Sequence, residues 1–197
     1  MEQQPGQTLR ERTREAVRAE VRRAALALFV ERGFDETRTE DIAAAAGISP
    51  RSFFRYFATK EDVLVSGSIA FGAHVRAALE QRPADEDLWT SLRRCLDPVL
   101  DVMDADPGYS LAMMRVIMSA PSLRAAHFEK HLAWEEMLRP VVAGRNGGDD
   151  LRASVLTHAA MAALDSALFE WVRQDGATPL GQLADVVFET QAGMRTV

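Results

Sequence analysis

The chain has 197 residues, 47% hydrophobic and 26% charged, which suits one or two packed units and excludes a largely disordered chain. Its lone cysteine, Cys95, excludes an intramolecular disulfide and any metal site built on several cysteines. The net charge of −6 is uneven: residues 8–60 carry a net of +3 and residues 61–197 a net of −8, so the N-terminal third is the part suited to phosphate.

No stretch alternates apolar and polar residues as a half-buried strand does, so an all-α fold is expected. Residues 1–9 read as a disordered arm. A first helix is expected from about Arg10 to Glu31, with Val17, Val21, Ala24, Ala25, Leu28 and Phe29 on one face and Gly33 beyond its end. Arg14, Arg18, Arg22 and Arg23 lie on or near the opposite face, the first three as solvated charges or as phosphate clamps. Thr39 is expected to cap a second helix, Glu40 to Ala46, that ends at Gly47. Ile48 reads as a buried plug. Ser49 caps a third helix, Pro50 to Phe57, with Pro50 where a missing N–H costs nothing. Thr59 then caps a fourth helix opening at Lys60.

Longer helices follow at about 60–82, 85–105, 107–119, 121–145, 150–175 and 179–194. Pro83, Pro107, Pro121 and Pro179 mark boundaries, while Pro98 and Pro140 are expected to kink the helices that contain them. No signal-peptide pattern appears, and no apolar run approaches the roughly 18 residues of a membrane span. A cytoplasmic location with no membrane partner is expected.

The most informative stretch is Thr39 to Leu64, TEDIAAAAGISPRSFFRYFATKEDVL. Two short helices joined through Gly47-Ile48-Ser49, with alanines at 43 to 46, suit the steep crossing of a helix-turn-helix. That motif places its second helix in the major groove.

With these residues in view, the chain resembles the TetR family of regulators. The likeness rests on ALALFVERGFDETR, Thr39, Ile42-Ala43, Ala46-Gly47-Ile48-Ser49, Phe53, Tyr56-Phe57 and Lys60-Glu61. The resemblance implies a DNA-binding unit over residues 10–60 and a ligand-binding and dimerisation unit over residues 61–197. It places Thr39 on phosphate, Arg51, Ser52 and Arg55 near base edges, Tyr56 on backbone or base, and Lys60 on phosphate. Phe54 stands where the family often has Tyr. Lacking the hydroxyl, it either packs on sugar or a thymine methyl, or joins the core with Phe53 and Phe57.

The second half is rich in flexible, polarizable methionine, which suits an adaptable apolar cavity. Phe71, Met103, Met113, Met114, Ile117, Met118, Met137, Met161, Asp165 and Phe169 are the candidate ligand residues; ordinary core is the alternative for each. Asp165 is either a pocket acid or a polar group at a dimer seam. Small residues at 159, 160, 162, 163, 166 and 167, with Leu180, Leu183, Val187 and Phe188, suggest a two-fold four-helix interface built from the last two helices of each copy.

The ending also resembles an actinobacterial TetR subgroup, to which mycofactocin-associated regulators belong. It implies a fatty-acyl or acyl-CoA effector, with Arg115, Arg124, His127 and His131 as candidates for its polar end. The function expected is thus a dimeric repressor of a palindromic operator, released by a small, largely apolar molecule. A helical protein-interaction adaptor is the alternative, but it leaves the Thr39–Lys60 pattern unexplained. Catalysis is not expected: HFEKH lacks a Glu directly after its first His, and no nucleophile elbow or phosphate loop appears. No cofactor and no metal are expected.

Overall fold

The computed structural model describes residues 8–194, excluding the side chains of residues 68–70 and 194. The expected arm therefore lies almost wholly outside the described residues. Within them the chain is helical and without strands, in the order α1 (Leu9–Arg32), α2 (Thr39–Ala45), α3 (Pro50–Tyr56), α4 (Asp62–Glu80), α5 (Leu88–Arg94), α6 (Asp97–Ala105), α7 (Pro107–Ser119), α8 (Pro121–Arg145), α9 (Asp150–Arg173) and α10 (Leu180–Met194).

Local chemistry sets the boundaries of the first four helices. Thr8 caps α1 reciprocally: its Oγ1 accepts from the Glu11 N–H at 3.2 Å, and the Glu11 carboxylate accepts from the Thr8 N–H at 2.8 Å. The cap position of α2 is Arg38, one residue earlier than expected, because Asp41 accepts the Arg38 N–H at 3.2 Å. Thr39 is therefore the first residue of that helix. Gly47 turns the chain at φ +67°, a left-handed conformation that favours glycine. Ser49 then accepts the Ser52 N–H at 3.1 Å and opens α3 with Pro50 in its first turn. Thr59 and Asp62 exchange hydrogen bonds of 3.1 Å across the entry to α4, so the helix itself begins at Asp62 rather than Lys60.

The first three helices, here the head, pack around Val21, Ala25, Ile42, Ala43 and Phe53, all fully buried. Ile48 is half-buried against this core rather than sealed within it. α1 and α4 join the head to the body: α1 packs on α7, and α4 packs extensively on α8. Gly72 makes the close α4–α8 approach possible, since a Cβ there would lie 2.6 Å from Cδ1 of Trp134.

Two expectations change in the body. The helix expected over 85–105 is two helices, broken at Cys95 and Leu96, with Pro98 in the first turn of α6. A proline can start a helix more easily than it can sit inside one. At Pro140 the opposite holds, and α8 runs through it. Of the residues expected at an intersubunit seam, Ala162 and Ser166 are exposed and Ala159 and Val187 half-buried, but others are not free to pair. Leu180, Leu183 and Phe188 are buried within the chain, and the Phe188 ring lies 4.8 Å from that of Trp89. On α9, Ala160, Ala163 and Ala167 are buried in the same way. The large apolar residues that the last helices turn outward are Leu151 and Val155 on α9 and Val186 on α10, with Phe128 and Leu132 on α8.

Candidate DNA interface and ligand cavity

The α3 face turned outward carries Arg51, Phe54 and Arg55. Phe54 is 53% exposed and meets the buried Phe53 edge-on at 5.4 Å, so one ring anchors the core while its neighbour stands in solvent. Arg55 stacks over the half-buried Tyr56 ring, 5.1 Å from its centroid. Ser52 is half-buried and its hydroxyl accepts from Ser49 at 3.0 Å. Thr39 is half-buried at the start of α2, where its hydroxyl donates to Glu40 at 3.2 Å.

Lys60, expected on phosphate, is engaged within the chain. Its ammonium donates to the carbonyls of Phe34 at 2.6 Å and Thr37 at 3.0 Å, and lies 4.1 Å from the Phe34 ring centroid. With a longer contact of 3.5 Å to the Asp35 carbonyl, this lysine fastens the α1–α2 loop. Arg18 and Arg22 are likewise only partly solvated. Arg18 donates to the Tyr56 carbonyl at the end of α3 and to Ser66 Oγ on α4, both at 2.8 Å, and lies 4.7 Å from the Phe57 ring centroid. Arg22 pairs with Glu15 at 2.8 Å.

The body holds a cavity of about 150 Å³ bounded by α4, α6, α7, α8 and α9. Phe71, Met103, Met113, Met114 and Ile117 line it. Met118 and Met137 are half-buried elsewhere, Met161 is buried in α9, and Phe169 is half-buried on α9. Neither Arg115 nor Arg124 reaches it: Arg115 pairs with Asp175, and Arg124 donates to the Met118 carbonyl at 2.6 Å. Several lining residues were not singled out from the sequence, among them Leu64, Val65, Gly67, Lys130, Leu164 and Leu168.

One wall is polar. His127 and Lys130 face the cavity, while Asp165 and His131 are buried beside them. His127 Nε2 and Asp165 Oδ1 are 3.0 Å apart, and His131 Nδ1 and Asp165 Oδ2 are 3.2 Å apart. Lys130 Nζ stands 3.4 Å from His127 Nδ1. An ammonium only donates, so His127 accepts at Nδ1 and donates from Nε2 to the carboxylate. Burial pushes His131 down to about 4 and Lys130 down to about 8. Burial raises Asp165, but the hydrogen bonds from His127 and His131 outweigh it and hold the carboxyl at about 2. One ligand atom from each of His127, His131 and Asp165 falls within 4.8 Å of the others, close enough to hold a metal ion. The Lys130 ammonium beside His127 opposes a second cation there, and both carboxylate oxygens already accept from imidazoles.

A surface-exposed recognition helix joined to a helical body with an apolar cavity defines a ligand-sensing DNA-binding protein. Residues 21–66 match the pattern of bacterial regulatory proteins of the tetR family, and residues 86–194 match the MftR C-terminal domain. The chain belongs to the TetR family of transcription regulators, which are not enzymes.

It is 34% identical over 150 residues to the HTH-type transcriptional regulator TcmR of Streptomyces glaucescens, covering 73% of this chain and 66% of that protein, just under two thirds of its length. It is 29% identical over 168 residues to the putative mycofactocin biosynthesis transcriptional regulator MftR of Mycobacterium tuberculosis, covering 83% and 85% of the two chains. The crystal structure of FadR from Bacillus subtilis, in complex with stearoyl-CoA, shares the fold with a TM-score of 0.63 at 18% identity, covering 87% of this chain and 95% of that one. No helix among the described residues is long and apolar enough to cross a membrane.

Proposed function

We propose that this regulator is a repressor that binds a palindromic operator as a dimer and leaves it when a small, largely apolar molecule fills the body cavity. Residues 10–60 form its reading head and residues 61–197 its sensing and pairing part. In this reading Arg51, Ser52, Phe54, Arg55 and Tyr56 meet the major groove, and Thr39 meets phosphate. The protein acts in the cytoplasm, where its DNA is.

The observation that carries the reading is the double use of one α4 segment. Leu64, Val65, Gly67 and Phe71 line the cavity, and Ser66 between them holds Arg18, which in turn holds the carbonyl of Tyr56 at 2.8 Å. A ligand that moves α4 therefore moves the recognition helix. Binding that favours a wider spacing of the two heads depopulates the DNA-competent state.

The exposed apolar residues of α9 and α10 supply a face for a second copy. The stearoyl-CoA of the FadR structure supports a fatty-acyl effector. A cavity of about 150 Å³ is benzene-sized, so a long acyl chain needs Phe71 and the methionines to swing aside.

The test is selection of bound sequences from random duplex DNA by the full-length protein. A two-fold symmetric motif is expected. Arg51→Ala should then weaken the selected site by about 1–3 kcal/mol while costing random DNA much less. Equal loss on both, or no enriched motif, counts against the reading.

A further inference from the structure

We propose that the cavity takes a compact apolar molecule bearing one ionised acidic group, a carboxylate or a phenolate, and that this group docks on the ammonium of Lys130. The inference deepens the preceding reading and rests on it only for the consequence at DNA.

Lys130 is 7% exposed, and it faces the cavity from the middle of α8. Buried lysines are rare unless paired, because removing an ammonium from water is costly. Among the described residues no carboxylate oxygen lies within 4.0 Å of this one. Its polar contact is the neutral His127 ring at a long 3.4 Å, with the Trp134 ring centroid at 4.9 Å. The nearby negative charge is Asp165, one imidazole away and already accepting from both His127 and His131. Among the described residues the ammonium thus has fewer acceptors than it has N–H groups.

The rest of the lining is apolar, including Met103, Met113, Met114, Leu164 and Leu168. An apolar box with a single cation selects by charge. A neutral guest leaves the ammonium unsatisfied. A polyphosphate headgroup meets only one cation and exceeds a volume of about 150 Å³. A monoanion with an apolar body satisfies both surfaces, and its charge-assisted hydrogen bond is roughly twice as strong as a neutral one.

The experiment is calorimetric titration of the full-length protein, at neutral pH, with octanoate against octanol and benzoate against benzyl alcohol. Each pair shares a body and differs in charge. The wild type should prefer the acid of at least one pair by about tenfold or more. Lys130→Met, which keeps the stem and deletes the charge, should abolish or reverse that preference while still taking the alcohol. Lys130→Arg should keep part of it.

Equal affinity for acid and alcohol in the wild type overturns the proposal. So does a preference that survives in Lys130→Met, or silence from all four probes in protein that melts cooperatively. Operator binding, measured on the same samples, separates the two readings. Acid binding at Lys130 without release of DNA defeats the repressor mechanism and leaves this site standing; ligand-free but operator-competent protein does the reverse.

Discussion

Arg18 of α1 donates to the carbonyl of Tyr56, the last residue of the recognition helix, at 2.8 Å, and the same guanidinium donates to Ser66 Oγ on α4 at 2.8 Å. One side chain thus ties α3, the helix proposed to read DNA, to a helix that walls the cavity. Hydrogen bonds from a charged group are worth about 1.5–3 kcal/mol each when partly buried, and the Phe57 ring beneath adds a cation–π contact. Arg18→Ala should lower stability by about 2–4 kcal/mol, a fall in Tm of roughly 4–16 °C. Its more telling effect is on coupling. The variant should bind ligand with near-normal affinity yet show a smaller change in operator affinity on ligand addition. A ligand response of wild-type size would remove Arg18 from the connection.

Lys60 carries a second prediction, opposed to the phosphate role that the family resemblance implies. A lysine on phosphate contributes about one unit to the salt slope of binding. This ammonium is engaged by the Phe34 and Thr37 carbonyls. Lys60→Met should therefore lower Tm by loosening the loop between α1 and α2, and should leave the slope of log affinity against log salt almost unchanged. A slope flattened by about one unit, with Tm intact, would restore the phosphate assignment.

These two residues mark where the sequence stops being legible. The turn from Ala46 to Pro50 can be read directly because its determinants are local: a glycine at φ +67°, a serine cap and a proline in the first turn. The partners of Lys60 lie 23 to 26 residues away, and no local pattern announces them. Lys130 is hard to read from the sequence because a lysine in a helix usually faces solvent. A signal was nevertheless present: His127, Lys130, His131 and Trp134 recur at helical spacing, and all four prove buried. On α10, Leu180, Leu183 and Phe188 share the face that packs inward while Val186 points out, a distinction that helical spacing alone does not make.

Stability should vary with pH through the buried polar wall. His131 falls from 6.5 to about 4 on folding because burial penalises its charged form, and His127 moves in the same direction for the same reason. The unfolded chain then binds those protons first, so stability is lost as pH falls from about 6.5 towards 4. Asp165, held at about 2 against an ordinary 3.8, is stabilising above about pH 4, and that contribution is lost as pH drops towards 2. Lys130 behaves oppositely at the alkaline end. Lowered from 10.5 to about 8 by burial, it costs stability wherever it stays charged, and that cost lifts as pH rises from about 8 to 10.5. Melting temperature against pH should show both limbs. His131→Leu should shallow the acid limb. Lys130→Met should erase the alkaline rise and raise the neutral Tm, by about 1–3 kcal/mol of stability, as expected of a group retained for binding rather than folding. A neutral Tm lowered by Lys130→Met would mean that the lysine is already well paired.

The face proposed for pairing can be tested directly. Val155 on α9 is 59% exposed and Val186 on α10 is 58% exposed, on helices whose opposite sides are buried. With Leu151 they give α9 and α10 an exposed apolar face, and in the proposed dimer two-fold pairing through that face suits a palindromic operator. Each valine contributes about 1.5–3 kcal/mol when fully buried relative to exposed. In a symmetric interface every substitution is counted twice. The double variant Val155→Glu, Val186→Glu should therefore shift the protein from dimer to monomer in sedimentation velocity, with helical content unchanged by circular dichroism because neither residue belongs to the chain's own core. Operator affinity should fall by about a hundredfold or more as the two heads lose their shared tether. Ligand affinity at the cavity should change little, since neither valine lines it. A double variant that stays dimeric would move the interface to the Phe128 and Leu132 face of α8, the other exposed apolar pair on these helices.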